Sequence, residues 1–174
     1  MYSEWVRRHR RNLGIPLIVA ALLLSQFQRQ HFWMSVLFVA AGEALRIWAA
    51  GHLRKEQMLT TGGPYRFIRN PLYLGSLFLC AGFCLVTGSL WIWLLVPAYF
   101  LLCYLPVIRY EESILRQKFS NDFPAYAAAV PAFYPTFKMH PGATTTFSWR
   151  QVIKNKEYNA VLGILLGYAY LFLR

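Results

Sequence analysis

The chain has few charged residues, and very few of them are acidic. Only 14% of its 174 residues are charged, and seven are Asp or Glu against eighteen Lys and Arg. An ordinary soluble domain carries about 25% charged residues, so the composition excludes a typical water-soluble enzyme surface. A hydrophobic content of 57% also excludes intrinsic disorder. The net charge of +11 suits contact with anionic headgroups, and the composition as a whole favours a membrane protein.

Cysteine is also scarce. The three cysteines, Cys80, Cys84 and Cys103, all lie in apolar stretches, and the first two are spaced to stack one helical turn apart. No His or carboxylate stands near them at ligand spacing, so we expect packing residues rather than a disulfide framework or a metal site. The glycine-rich dinucleotide fingerprint is missing as well, which argues against a nicotinamide-dependent reductase. We expect no nucleic-acid partner.

Long apolar runs are what the chain has instead. They predict an all-α fold, an integral membrane helical bundle of about five transmembrane helices, in a single domain over residues 1–174. The last run is short enough to be a re-entrant helix. A basic stretch precedes the first run as in a signal peptide, but no small-residue cleavage site follows, so we expect this run to be retained. The predicted spans cover residues 13–28, 32–50, 71–87, 90–108 and 159–173.

The basic residues are distributed unevenly between the two sides of these spans. They concentrate in the amino-terminal segment 1–12, between the second and third spans, and in the connection 109–158, while Arg29 stands alone in the opposite turns. The positive-inside rule therefore places the amino terminus and both long connections in the cytoplasm. Because those connections carry most of the polar residues, we expect a cytoplasmic cofactor-binding face.

The densest group of polar and glycine residues, Thr61–Gly75, leads directly into the third span. Asn70 is a good N-cap and Pro71 suits the first helical position, so the helix is predicted to begin there with its backbone N–H groups toward the cytoplasm. Such a terminus attracts a carboxylate or phosphate, and Arg66 and Arg69 add positive charge. The alternative is a glycine turn whose arginines anchor the helix to headgroups.

Two adjacent glutamates, Glu111 and Glu112, follow the fourth span. In a chain with only seven acidic residues, such a pair at a membrane surface requires a cationic partner. Arg69 or Arg109 would make the pair structural, whereas the ammonium group or ribose hydroxyls of a bound cofactor would make it part of a site. Both interpretations remain open from the sequence.

A third polar feature, Glu43 with Arg46, lies inside the second span. An ion pair in a membrane segment is costly and usually faces a bundle interior or a cavity. The pair is therefore either a substrate-side site or an ion pair that joins two helices. His52, just beyond the span, is expected to be an interfacial polar residue.

Taken together, these segments resemble the isoprenylcysteine carboxyl methyltransferase family and its phospholipid methyltransferase relatives. The resemblance covers about residues 40–136 and includes Gly-Pro-Tyr, Arg-Asn-Pro-x-Tyr-x-Gly, Glu-Glu and Phe-x6-Tyr-x3-Val-Pro. It implies an S-adenosylmethionine site at the cytoplasmic helix ends. The family's usual histidine is Asn70 here, which keeps a hydrogen-bonding side chain but no titratable group. The residues that match the cofactor-binding motifs are Gly63, Pro64, Tyr65, Arg69, Asn70, Pro71, Tyr73, Gly75, Glu111 and Glu112.

The resemblance implies methyl transfer from S-adenosylmethionine to a lipophilic acceptor, a carboxylate as in isoprenylcysteine O-methylation. The lipid bilayer and a lipophilic or prenylated substrate would be the partners, with Glu43 and Arg46 on the substrate side. The alternative is a lipid amine, which must be deprotonated before attack and would give a base such as Glu43 or His52 more importance. An alternative of another class is a non-catalytic membrane protein or transporter subunit.

Overall fold

A computed structural model of the chain describes residues 23–54, 58–137 and 145–173, together with 4–6, 9, 14, 16 and 19–21. All regular structure in these residues is helical, and none of them belongs to a strand, as the sequence predicts. The described part of the first predicted span is helical up to Leu24, and residues 25–28 are not. The remainder of that span, Arg7, Arg8, Arg10 and Arg11 of the basic segment, and residues 138–144 lie outside the described residues.

Two packed helices form the centre of the bundle. Helix α1 covers Phe32–His52 and helix α2 covers Pro71–Thr87. Helix α2 has the same bounds as the predicted third span, and α1 ends two residues beyond the predicted second span. A methyl group added to Gly42 would lie 2.7 Å from the Gly75 carbonyl oxygen. The two backbones therefore touch, because small residues allow membrane helices to approach closely.

Helix α3, Leu90–Lys118, is longer than the predicted fourth span. The connection predicted over residues 109–158 therefore begins in helical form, since α3 continues and carries the paired glutamates on its last turns. Its final part, Leu105–Lys118, is amphipathic and buries Val107 and Ile108, which explains why it stays helical after the apolar run ends. A π-helical turn, Phe100–Tyr104, interrupts α3 between Pro97 and Pro106.

Length and composition support a membrane location for two of these helices. Among the described residues, Arg29–His52 with 24 residues and Leu90–Lys118 with 29 are long and apolar enough to cross a bilayer. Pro71–Thr87 and Tyr158–Leu173 are shorter apolar helices. The count of about five spans stays a prediction.

The carboxyl-terminal part of the chain is largely helical rather than an open connection. Helix α4 covers Phe123–Ala129, α5 covers Trp149–Lys154 and α6 covers Tyr158–Leu173. At the opposite end of the bundle, Gln26 and Gln28 donate backbone hydrogen bonds to the Thr87 and Val86 carbonyls. The two short turns that the charge pattern predicts on one side therefore lie together.

Candidate functional site

A cavity of about 370 Å³ opens where α2 begins and α3 ends. Its walls come from four separate stretches of sequence, and they combine charged groups with aromatic rings. Five of the residues predicted from the sequence line it: Tyr65, Arg69, Asn70, Glu111 and Glu112. The sequence-predicted cluster is therefore assembled in one place, although its two groups, 65–70 and 111–112, are separated by more than forty positions in the chain.

Arg69 is the central residue of this cluster. Its Nε donates to Glu112 Oε1 at 3.0 Å and its Nη2 to Glu112 Oε2 at 3.4 Å, which is the forked geometry of an arginine–carboxylate pair. Its Nη1 donates to the Ala127 and Val130 carbonyls at 2.6 and 2.8 Å. One guanidinium thus joins α3 to the end of α4, and of the two cations that the sequence offered to the glutamates, Arg69 is the partner of Glu112.

Asn70 occupies the predicted N-cap position, but its side chain does not cap the helix. No side-chain cap hydrogen bond is made at the start of α2, and the prediction of a capping side chain is wrong. The amide instead donates to Glu112 Oε1 at 3.1 Å and to the Ala132 carbonyl at 3.3 Å. The nearby carboxylate is the stronger acceptor, and so Asn70 ties α2 to α3.

The second glutamate has a different partner. The Tyr73 hydroxyl donates to Glu111 Oε2 at 2.9 Å, and the Tyr73 ring packs edge-on against Tyr104, with 5.6 Å between ring centroids. Glu111 and Tyr104 both lie on α3. Each of the two glutamates is therefore held by a residue at the start of α2.

Tyr65 and Tyr126 form the buried floor of the cavity, exposed by 7% and 3%. The Tyr126 hydroxyl donates to the Tyr65 carbonyl at 2.9 Å. Burial raises the pKa of both phenols above the ordinary value, because a phenolate there would lose its hydration. The turn before Tyr65 depends on Gly63, whose φ of +56° is in the left-handed region that favours glycine.

The other predicted cofactor residues lie around the cavity without lining it. Gly63 and the buried Pro64 form the turn that places Tyr65, and Pro71 begins α2. Gly75 lies one turn deeper, against Gly42 and the side chain of Arg46. Helix packing therefore explains a requirement for glycine at this position, because a side chain would meet α1. A direct contact between Gly75 and a cofactor stays a prediction.

Glu43 and Arg46 lie in a separate cluster with a third member that the sequence did not indicate. Arg46 Nη2 is 2.5 Å from Glu157 Oε1, and its Nε is 3.7 Å from Glu43 Oε2. Arg46 Nη1 also donates to Ser76 Oγ on α2 at 2.6 Å. The arginine thus joins α1 to α2 and to the start of α6, and two carboxylates share one cation. No motif flags Glu157, because its partner is more than a hundred positions away.

Sequence reasoning also missed several lining residues. The basic side chains of Arg54 and Lys118 and the apolar residues of the 58–60 segment and of α3 contribute to the walls. Phe119 and Tyr126 belong to the Phe-x6-Tyr motif, so that motif could have placed them here. The lining residues outside the predicted set are Leu53, Arg54, Met58, Leu59, Thr60, Ile114, Leu115, Lys118, Phe119, Phe123 and Tyr126.

Comparison with protein families identifies the scaffold that carries this cavity. Residues 20–122, well over half of the chain, match the family described as phospholipid methyltransferase. The chain belongs to the phospholipid methyltransferase family. This family is part of the larger superfamily of membrane methyltransferases that resemble isoprenylcysteine carboxyl methyltransferase. The resemblance stated from the sequence is confirmed at that level, while the match is to the phospholipid methyltransferase family within it.

Two curated relatives of this phospholipid methyltransferase family member carry names from metal resistance. It is 31% identical over 155 positions to the cobalt-zinc-cadmium resistance protein CzcN of Cupriavidus metallidurans, covering 82% of this chain and 71% of that protein. It is 28% identical over 155 positions to the nickel-cobalt-cadmium resistance protein NccN of Alcaligenes xylosoxydans xylosoxydans, covering 82% and 72%. No solved structure matches it significantly. The described residues contain no group of three or more His, Cys, Asp or Glu that could hold a metal ion.

The family match covers most of the cavity but not all of it. The walls from Leu53 to Phe119 fall within the matched residues, whereas Phe123 and Tyr126 lie beyond residue 122. Glu157 and the segment around it also lie beyond the match. The phospholipid methyltransferase scaffold therefore supplies the polar cluster, and the carboxyl-terminal part of this chain completes the enclosure.

Proposed function

We propose that the chain is an S-adenosylmethionine-dependent methyltransferase that methylates a lipophilic acceptor at the membrane. The family gives the general activity, since it is a family of membrane methyltransferases. The single observation that carries the cofactor assignment is the position of Glu112. Glu112 lines the cavity, and Arg69 and Asn70, which line it too, donate hydrogen bonds to its carboxylate.

The residues present fit this cofactor by size and by chemistry. A volume of about 370 Å³ falls in the range of roughly 300 to 1,000 Å³ that is typical of small-molecule sites. An ionised carboxylate offers about four acceptor positions, so Glu112 retains capacity on Oε2 for an amino group or a ribose hydroxyl. Arg54 and Arg69 offer positive charge for a carboxylate, and the aromatic residues offer surfaces for a base and for a sulfonium.

Each residue then has a defined task. Glu112 binds the amino group or ribose, and Arg69 orients that carboxylate. Tyr73 orients Glu111 in the same way, while Tyr65 supplies an aromatic wall. When bound, S-adenosylmethionine supplies an activated methyl group on a sulfonium centre. The protein's contribution to rate is therefore mainly positioning, and an effective molarity of about 10⁵ M or more is available from that source alone.

The acceptor that fits this site best is a carboxylate carried by a lipophilic or prenylated molecule. A carboxylate is already deprotonated at neutral pH, so it requires no general base. Glu112 accepts hydrogen bonds from Arg69 and Asn70, and its proposed task is to bind the cofactor rather than to accept a proton. The acceptor would approach from the bilayer, with Glu43 and Arg46 as candidates for contacts to its polar end.

A lipid amine is the second candidate acceptor, and two observations favour it. The matched family is described as phospholipid methyltransferase. The cluster of Glu43, Arg46 and Glu157 pairs two carboxylates with one cation, and this excess of negative charge complements an ammonium group. A carboxylate in this cluster would also be available to take the proton that an amine must lose.

Calorimetric binding of S-adenosylmethionine and S-adenosylhomocysteine to the purified protein in lipid nanodiscs tests the cofactor assignment. We expect measurable binding by the unchanged protein and at least roughly tenfold weaker binding, about 1.4 kcal/mol, in Arg69→Ala and Glu112→Gln. Arg150→Ala and Asp122→Asn remove the same charges from exposed positions outside the cavity and should bind normally. Tyr73→Phe deletes one hydroxyl and serves if the charge variants fail to fold.

Binding that survives in Arg69→Ala, Glu112→Gln and Tyr73→Phe would refute the site assignment. No binding by well-folded protein would favour a non-catalytic role such as a transporter subunit. Where binding is seen, transfer of a radiolabelled methyl group from S-adenosylmethionine to offered acceptors identifies which of them is methylated. Supplied with a prenylated cysteine, the enzyme would form a methyl ester that alkali releases as methanol, whereas N-methylation of phosphatidylethanolamine vesicles would give a product stable to alkali.

A further inference from the structure

The segment Thr145–Glu157, here named the carboxyl-terminal clasp, packs against the end of α1. An α-helix leaves its last carbonyl groups without partners inside the helix, and α1 ends at His52. Asn155 Nδ2 donates to the Ala50 carbonyl at 2.9 Å and to the Leu53 carbonyl at 3.3 Å. The Ser148 backbone N–H donates to the Gly51 carbonyl at 3.1 Å. The clasp thus donates to three of the four carbonyl groups from Ala50 to Leu53, at or just beyond the helix end.

The same contacts fix Arg54, the residue that follows Leu53 and lines the cavity. Its Nη1 donates to the Gly51 carbonyl at 3.1 Å and its Nη2 to the Thr146 carbonyl of the clasp at 3.0 Å. Its backbone N–H donates to Thr60 Oγ1 at 3.1 Å. Arg54 is therefore held through its backbone and through its guanidinium, and the peptide group just before it is held by Asn155.

Two further contacts anchor the clasp itself. Glu157 is 5% exposed and pairs with Arg46 in the interior of the bundle. Phe147 packs against the flat face of α1 at Gly51, and its ring centroid lies 5.8 Å from that of His52. Because both anchors are on the helix that precedes Arg54, a displacement of the clasp would be transmitted to the cavity wall.

We propose that Asn155 is a positioning residue for the cofactor site, acting through Arg54. By holding the Leu53 carbonyl, its amide sets where the Arg54 guanidinium meets the cavity, and the ligand group that Arg54 recognises there is a carboxylate, as on the amino-acid end of the cofactor. The inference rests on the proposed function for the identity of the ligand. It assigns a role to a segment that lies outside the matched family region, residues 20–122.

Proteolysis tests the coupling of Asn155 to Arg54 without any ligand. Trypsin cleaves after arginine only when the side chain enters the protease, so the hydrogen bonds of Arg54 protect the bond that follows it. In full-length protein in nanodiscs we expect Asn155→Ala to increase cleavage after Arg54 at least roughly fivefold. Asn159→Ala is the matched control, since Asn159 is exposed at the start of α6, and Asn155→Gln, which keeps an amide donor, should restore part of the protection.

Calorimetry in the same nanodiscs tests the effect on the site. We expect Asn155→Ala to weaken binding of S-adenosylhomocysteine roughly three- to tenfold and Arg54→Ala to weaken it at least as much. If Asn155 acts through Arg54, the double variant binds no more weakly than Arg54→Ala alone, because the second substitution removes nothing further. A general loss of fold would instead make the two effects multiply.

Each outcome decides part of the proposal. Faster cleavage together with weaker, non-multiplying binding supports it. Cleavage that is unchanged by Asn155→Ala overturns it, and so does faster cleavage with unaltered binding, because Arg54 would then move without consequence for the ligand. If the unchanged protein binds no S-adenosylhomocysteine, the proposed function fails and the ligand half of this inference fails with it, while proteolysis still decides the coupling of Asn155 to Arg54.

Discussion

At the scale of single residues, Arg69 is a charged side chain that joins separate segments of the fold. Its guanidinium donates to Glu112 and to two carbonyls at the end of α4. The sequence predicted Arg69 as one of two candidate partners for the glutamates, because two adjacent carboxylates at a membrane surface require a cationic partner. It could not predict the hydrogen bonds from Arg69 to the Ala127 and Val130 carbonyls, because every residue has a backbone carbonyl and the sequence does not mark which of them will accept. The same limitation applies to Asn70, whose side-chain amide donates to the Glu112 carboxylate of α3 and does not cap α2.

A residue-scale prediction concerns Tyr126. Tyr126→Phe leaves the buried Tyr65 carbonyl without this donor and should lower the free energy of unfolding by about 1 kcal/mol. Because burial raises the pKa of Tyr126, its contribution to stability is complete below the unfolded pKa of about 10. It is lost as the pH rises from that value through the folded pKa. Melting temperatures from pH 8 to 11 should therefore fall less steeply in Tyr126→Phe, and parallel curves would contradict the assignment.

At the scale of helices, hydrophobic runs and terminal signals predicted most of the boundaries. Pro71 at the start of α2 and Gly88 just after its end, with φ of +61°, are standard helix signals, and α2 has the bounds given to the predicted third span. The continuation of α3 beyond residue 108 was not predicted, because hydropathy marks where a span leaves the membrane, not where the helix ends. The packing of α1 on α2 was not predicted either, since glycine spacing alone does not identify which helix is the neighbour.

An element-scale prediction tests that packing. A methyl group at Gly42 would lie 2.7 Å from the Gly75 carbonyl oxygen and 2.8 Å from Phe78 Cβ, so Gly42→Ala should destabilise the protein by about 1 to 3 kcal/mol. Gly163→Ala is the matched control, because nothing lies within 4 Å of the added methyl group in α6. Thermal unfolding in detergent measures both. Equal melting temperatures for the two variants would show that α1 and α2 are not in backbone contact.

At the scale of the whole molecule, the sequence predicted an all-helical membrane protein and the polar cluster at one end of it. Apolar runs predict the helices directly, and the family motifs indicate which helix ends lie together. The clasp was not predictable, because Asn155 and Glu157 pair with residues about one hundred positions earlier. Such contacts depend on the three-dimensional path of the chain, and no local pattern encodes them.

The topology is a whole-molecule prediction. Five spans with a cytoplasmic amino terminus place the residue after Leu173 on the opposite side of the membrane. Single cysteines introduced at the two ends of a variant lacking Cys80, Cys84 and Cys103 should therefore react with an impermeant maleimide from opposite sides of sealed vesicles. Labelling of both ends from the cytoplasmic side would contradict the five-span arrangement and make Tyr158–Leu173 a re-entrant helix.

The π-helical turn at Phe100–Tyr104 has a consequence for how the glutamates come to face the cavity. Such a turn inserts one extra residue into a helix, and one residue of an α-helix corresponds to a rotation of about 100°. A regular helix from Leu90 to Lys118 would therefore direct Glu111 and Glu112 about a quarter of a circle away from Tyr73 and Arg69. The turn therefore rotates the polar half of α3 relative to its apolar half. The apolar half can face lipid while the polar half faces the cavity.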